Sequence, residues 1–146
     1  MSRDELARLL VFRVGDERFA MALHAVHEVI DPPPVQRVPD APPTVVGVAA
    51  LRDAYVTIYD ARALLGIPGP SPASVLLLAQ GNHQAGLAVS DVVDAMSIDA
   101  SELRGVPGGA DDMIEGLVRR DSELTAVLNV RALLAAASPS MEGEPT

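Results

Sequence analysis

The sequence nearly repeats itself, and this limits the fold more than any other feature. At an offset of 66 residues Phe12 aligns with Leu78, Gly15 with Gly81, Ala20 with Gly86, Met21 with Leu87, Leu23 with Val89, Val26 with Val92 and Ile30 with Met96. At an offset of 69, Val45 aligns with Ile114, Gly47 with Gly116, Ile58 with Val127, Asp60 with Asn129, Arg62 with Arg131, and Leu64-Leu65 with Leu133-Leu134. Three inserted residues between the blocks explain the change of offset. The tightest shared string is apolar-x-(Asp/Asn)-x-Arg-Ala-Leu-Leu, with a glycine thirteen residues upstream in both halves. The repeat implies two similar units of about 65 residues, each with roughly five short strands and one closing helix. A unit that small is marginal alone, so the two should pack together and leave a groove at their junction.

Local signals fill in the plan. Leu9 to Val14 and Phe19 to Ala22 read as strands around the turn Gly15-Asp16-Glu17-Arg18. Leu23 to Ile30 reads as one helical turn leading into a strand, stopped by Asp31-Pro32-Pro33-Pro34. After a second proline-rich connection, Pro39 to Pro43, Val45 to Leu51 and Ala54 to Tyr59 form a hairpin across Arg52-Asp53. Asp60 suits the N-cap of a helix from Ala61 to Leu65, closed by Gly66. Ile67 to Ser74, with three prolines, is the best linker candidate. The second half follows with strands from Val75 to Ala79 and Ala85 to Val89 around a turn at Gly81-Asn82-His83-Gln84. Asp91 to Met96 repeats the turn-plus-strand pattern, and Arg104 to Asp112 is a loop with three glycines. Met113 to Arg119 and Glu123 to Leu128 form a hairpin, and Asn129 caps a helix to about Ala137. The tail from Ser138 is expected to be disordered.

Composition removes most chemistry. Twenty acidic and eleven basic residues give a net charge of −9, which repels nucleic acid and anionic membrane. Cysteine is absent, so disulfides, thiolate metal sites and a Cys nucleophile are excluded. Lysine is absent too, which excludes a P-loop lysine, a Schiff base and a Ser-x-x-Lys acylase. Met1 to Leu10 lacks a signal-peptide core, and the apolar run Val75 to Ala79 is too short to cross a bilayer. A soluble intracellular chain is therefore expected. His24 and His27 could share a helix face with Glu28 as metal ligands, but no third ligand has a telling spacing. Exposed polar residues on a one-turn helix are the simpler reading. No serine sits in Gly-x-Ser-x-Gly, and Gly105 to Gly109 carries no nucleotide-binding pattern. Asp16-Glu17 and Asp111-Asp112 fall in expected turns, and four aromatics argue against a base-stacking platform. No enzyme, metal or cofactor is expected; what remains is a surface for proteins.

On that surface Arg52 stands first, at a hairpin tip beside Leu51. It reads either as an ordinary turn residue or as a bidentate arginine aimed at a partner acid or an internal one, with Glu28 the internal candidate. Val26 and Val92 are equivalent by the repeat and fall near the groove between units, where core packing is the simpler role.

Three blocks resemble the CheW family of bacterial chemotaxis coupling proteins. They are Val11-Phe12-Arg13-Val14-Gly15-Asp16-Glu17-Arg18-Phe19-Ala20; Val26-His27-Glu28-Val29-Ile30 with Pro32-Pro33-Pro34 and Arg37-Val38-Pro39; and Gly47-Val48 to Leu51-Arg52 with Asp60-Ala61-Arg62. The second half adds Gly86-Leu87-Ala88-Val89 and Leu128-Asn129-Val130-Arg131-Ala132-Leu133-Leu134. The resemblance implies a mainly β fold of two five-stranded SH3-like barrels with short helices, including a C-terminal one. It implies a single domain over residues 9–137, with a first barrel near 19–74 and a second near 75–128. Strand 9–14 and helix 129–137 would pack across them, and 138–146 would be the tail. It also implies a non-enzymatic, cytoplasmic scaffold at chemoreceptor clusters. Such a scaffold links the receptor's cytoplasmic tip to the regulatory domain of a CheA-type histidine kinase. Carried over by position, Val26, Glu28, Arg52 and Val92 fall on the receptor side, and Val48, Asp53, Tyr55 and Thr57 on the kinase side.

The chain departs from the family pattern at the hairpin, where Ala50-Leu51-Arg52-Asp53 replaces Asn-Leu-Arg-Gly. Glycine there suits a positive-φ turn, so Asp53 is expected to carry the strain. Thr57 stands where a proline is common, Tyr55 puts a bulky ring beside the turn, and Ser90 replaces an Asp. These departures support an alternative, an adaptor that binds a receptor or other input protein without engaging the kinase. A small-molecule sensor using the groove is a third reading, for which Arg52 and Glu28 are the polar groups available.

Overall fold

A computed structural model describes residues 6–80, 83–106 and 112–137. Among them the chain runs β1 (Leu6–Val14), β2 (Glu17–Ala22), a 3₁₀ turn (Leu23–Ala25), β3 (Val26–Ile30), β4 (Val45–Leu51), β5 (Ala54–Asp60) and α1 (Ala61–Leu65). It continues through β6 (Ser74–Gln80), β7 (His83–Val89), β8 (Asp91–Asp99), a second 3₁₀ turn (Ala100–Glu102), β9 (Ile114–Arg120), β10 (Glu123–Leu128) and α2 (Val130–Ala137). The strands form two five-stranded sheets, ordered β8-β1-β2-β10-β9 and β3-β6-β7-β5-β4. The mainly β class, the two five-stranded sheets and the C-terminal helix agree with the sequence reading. The turn at Gly81-Asn82, most of the glycine loop and the tail from Ser138 lie outside the described residues.

The sheets do not follow consecutive halves of the chain. β1 and β2 join the last three strands, and β6 and β7 join β3, β4 and β5. The division at residues 19–74 and 75–128 thus cuts across both sheets. The repeat explains the exchange. β5 pairs in parallel with β7 through Ile58 and Gly86, and β10 with β2 through Val127 and Ala20. These are the same pair under the two offsets, so each unit completes its sheet with the other unit's first hairpin.

Ile67 to Ser74 is correspondingly no domain boundary, because it connects two strands of one sheet. Its prolines stiffen a strap across Gly15. That glycine has φ +61, and a Cβ on it would collide with the Pro68 carbonyl oxygen. Arg62 secures the strap by donating to the Gly69 and Pro70 carbonyls at 2.8 and 3.0 Å.

Strand ladders do not close either sheet into a barrel. Instead the chain leaving each edge strand returns to the opposite edge for a single bridge. Gln36 and Val48 exchange backbone hydrogen bonds of 2.8 and 2.9 Å, and Arg104 and Leu117 two of 2.8 Å. These straps explain the repeated glycine. A Cβ on Gly47 would lie 2.8 Å from the Gln36 carbonyl oxygen, and one on Gly116 would lie 2.6 Å from that of Arg104.

Three apolar clusters follow. The largest joins the sheets through Phe12, Val14 and Met21 on one side and Leu76, Leu78 and Leu87 on the other, with Leu133 of α2. Smaller clusters fill each sheet's other face: Leu9, Val11, Ile98 and Val118 in the first, Ala49, Val56, Ile58 and Val75 in the second. Most of the large buried side chains therefore lie between the units, as marginal small units require. β8 is a continuous strand where a turn had been expected at Asp91, because it pairs along β1 from Arg13 to Leu6. No helix of the described residues is long and apolar enough to cross a membrane.

Candidate functional site

The β4–β5 turn brings Arg52 to Glu28. One terminal guanidinium nitrogen donates to Glu28 Oε1 at 3.1 Å and Oε2 at 3.4 Å. Arg52 is 74% exposed, so the pair itself adds little to stability. The positive φ of the turn falls on Arg52, at 55°, and not on Asp53. A non-glycine residue there costs about 1 kcal/mol, and the Glu28 contact holds the side chain while the backbone bears it. Glu28 reaches Arg52 because β3 carries a bulge. Val26 pairs with Leu78 and Glu28 with Leu77, leaving His27 as the extra residue. The bulge changes the strand's facing: Val26 packs on the core between sheets, and Ile30 on the core of its own sheet. β8 has the same irregularity at Val93, between Val92 opposite Phe12 and Asp94 opposite Val11.

Val26 and Val92 both pack against the shared core, one from each sheet. Glu28 and Arg52 do not adjoin Val92 through any pairing; they rim a cavity of about 250 Å³ at the mouth of the second sheet. Ile30, Leu51, Val56, Leu77 and Ala85 line it, with His27, Asp53 and Gln84 at the edge.

The outer face of β4–β5 is a separate surface. Val48 lies opposite Thr57 and Ala50 opposite Tyr55. Tyr55 is 82% exposed, and the exposed Val46 extends the same face of β4. That face carries no charged side chain; Asp53 stands at the turn beside it. Val48 also bears the closing bridge from Gln36, so its backbone is committed to the fold.

The histidines do not form a ligand set. His24 lies in the 3₁₀ turn and His27 in β3, so they share no helix face. Among the described residues no three His, Asp or Glu side chains are placed to hold a metal ion. Ser90, where the family resemblance led to an Asp, accepts a hydrogen bond from the Gly15 N–H at 2.9 Å and so still satisfies that turn.

The structure adds two side-chain clusters, one of them built on the expected N-cap Asp60. Asp60 caps α1 by accepting from the Arg62 N–H at 2.9 Å, and the same carboxylate grips the Arg62 guanidinium at 3.1 and 2.9 Å. Its hydrogen bond raises the Arg62 pKa further. In the first sheet Arg18 reaches Glu123 at 3.0 Å and Thr125 at 3.4 Å. The repeat could have flagged it, since Arg18 falls at the position of Gln84.

Fold and surfaces together define a two-sheet β module: interlocked sheets presenting an uncharged hairpin face and a rimmed mouth. The model of the CheW-like domain matches residues 8–138. The chain is 33% identical over 114 residues to the chemotaxis protein CheW of Rhizobium meliloti (strain 1021), covering 76% of this chain and 74% of that one. It is 24% identical over 134 residues to the chemotaxis protein CheW of Bacillus subtilis (strain 168), covering 87% and 86%. Its fold matches the crystal structure of the scaffolding protein TtCheW from Thermoanaerobacter tengcongensis with a TM-score of 0.80 at 21% identity, over 87% and 86% of the two chains. The chain belongs to the CheW-like domain family, whose members named here are chemotaxis proteins and include a scaffold.

Proposed function

We propose that this chain is a non-enzymatic coupling protein that joins chemoreceptors to a CheA-type histidine kinase, held at receptor clusters on the cytoplasmic side of the membrane. The receptor tip meets Val26, Glu28, Arg52 and Val92, and the kinase regulatory domain meets Val48, Asp53, Tyr55 and Thr57. The observation that carries the reading is the uncharged outer face of β4–β5, with Tyr55 82% exposed on it. An aromatic anchor on a charge-free strand face suits a protein interface, and a charged face would have favoured the adaptor that leaves the kinase alone. Arg52 supports the receptor side: Glu28 occupies one terminal nitrogen and leaves the other donors exposed. As a scaffold the chain transmits a receptor shift only through contacts that differ between two receptor states.

The test is a pair of titrations, against a receptor cytoplasmic fragment and against the kinase regulatory domain. Micromolar or tighter binding to both is expected. Receptor binding with no kinase binding would replace this reading with the input adaptor.

A further inference from the structure

We propose that the mouth of the second sheet is a socket for one aliphatic or aromatic side chain, presented by the turn of the receptor tip, with Arg52 donating to a main-chain carbonyl of that turn. The proposal rests on the receptor reading above and adds what that contact recognises.

An asymmetry between equivalent places carries it. The repeat maps Gln84, Ala85, Ala54 and Val56 onto Arg18, Phe19, Glu123 and Thr125. In the first sheet Arg18 lies across the mouth, bonded to Glu123 and Thr125, and its side chain is only 26% exposed. Phe19, on the opposite face of β2, packs instead into the core between the sheets, stacked on Phe12 with ring centroids 6.2 Å apart. In the second sheet the plug positions are Gln84 for Arg18, Ala54 for Glu123 and Val56 for Thr125, and a cavity of about 250 Å³ lies there. Shared backbone register with different side chains makes the opening a property of these residues, not of the fold.

Size and rim chemistry identify the occupant. Small-molecule pockets run from about 300 Å³ upward, so this volume suits one inserted side chain better than a free ligand. Glu28 already neutralises Arg52, and among the described residues the remaining guanidinium N–H groups have no partner. A neutral acceptor such as a carbonyl fits them, and turns expose unpaired carbonyls. Leu78 lines the mouth and pairs with Val26, so the socket opens beside the proposed receptor face. An anchor side chain in an apolar pocket, flanked by an arginine, is the pattern of an interface hot spot.

The decisive variant moves the plug. Gln84→Arg combined with Ala54→Glu places the Arg18 and Glu123 pair at the open mouth, and both altered positions are exposed. If the double variant melts well below the parent, Ala54→Phe serves as the second blocking variant. Receptor fragment binding should weaken at least tenfold while the melting temperature holds. Equal affinity for parent and plugged chain overturns the socket and leaves the coupling function standing. A parent chain that binds no receptor fragment overturns the receptor reading instead. In that case benzene decides, followed by methyl resonances of Leu51, Val56 and Leu77. Shifts in the parent that vanish in the plugged chain keep the socket, and no shifts in the parent overturn it.

Discussion

The β4–β5 and β9–β10 hairpins hold the same place in the two sheets and face solvent with different chemistry. Both cross a closing strap at a glycine, Gly47 or Gly116, and both lead into a capped helix. Outside, Val46, Ala50 and Thr57 of the first stand where Glu115, Arg119 and Ala126 stand in the second, and Tyr55 where Leu124 stands. The turns differ as well: Arg52 alone carries positive φ in the first, whereas Asp121 and Ser122 both do in the second. Positions that set the backbone have been kept between the halves. Positions that face outward have diverged, and charge has been kept off only one of the two faces.

The largest effect should come from the shared positions. Gly47→Ala and Gly116→Ala each force a Cβ within 3 Å of a strap carbonyl. Each is expected to cost about 3 kcal/mol in urea unfolding. A cost at one glycine and none at the other would break the equivalence of the straps.

Next come the faces. Tyr55→Ala should weaken kinase binding by about 2 kcal/mol, and Leu124→Ala by less than about 0.5 kcal/mol. Equal losses would show that both hairpins dock the same partner.

The caps separate the halves more gently. Asn129 accepts from the Ala132 N–H at 3.0 Å, while Arg131 has no side-chain partner among the described residues. Asp60 also holds Arg62 and, through it, the proline strap. Asp60→Ala is expected to cost about 2 kcal/mol against about 1 kcal/mol for Asn129→Ala, read as shifts in urea midpoint.

The smallest effect is a pH dependence confined to the second half. Arg120 donates to Glu102 at 2.7 Å, and this hydrogen bond is the main reason the Glu102 pKa is lowered, with a second bond from the Asp99 N–H. A carboxylate with a depressed folded pKa stabilises above its unfolded value, and that contribution is lost as pH falls through the folded pKa. Glu102→Gln should flatten this acid limb slightly in melts between pH 7 and 3. An unchanged profile would show that the exposed pair contributes nothing.

Hairpins and caps were legible because each depends on residues close in sequence or on a turn of fixed length, whereas Glu28 stood only as one candidate partner for Arg52. Asp60 before Ala61 and Gly66 after Leu65 mark α1 at both ends, and the cap and the left-handed Gly66 are where those residue types belong. The positive φ was assigned to Asp53 on residue preference alone. Side-chain anchoring by Glu28, a contact across 24 residues, accompanies it on Arg52 instead. The prolines of Ile67 to Ser74 suggested a boundary for the same reason: composition records stiffness, and only the contact with Gly15 and Arg62 shows that the stiff segment is a strap.

The sequence by itself determined the two-unit plan, the strand and helix order, the sites of the caps and the absence of thiol and lysine chemistry. These follow from periodicity, turn residues and composition, which act over a few residues at a time. The tertiary structure alone decided which hairpin completes which sheet, that Gly47 and Gly116 lie under returning straps, and that Arg18 closes one mouth while Gln84 leaves its twin open. Those outcomes depend on contacts between residues dozens of positions apart. Local pattern cannot rank them, because two like units offer the same hairpin to either sheet, and burial of the shared core selects between them.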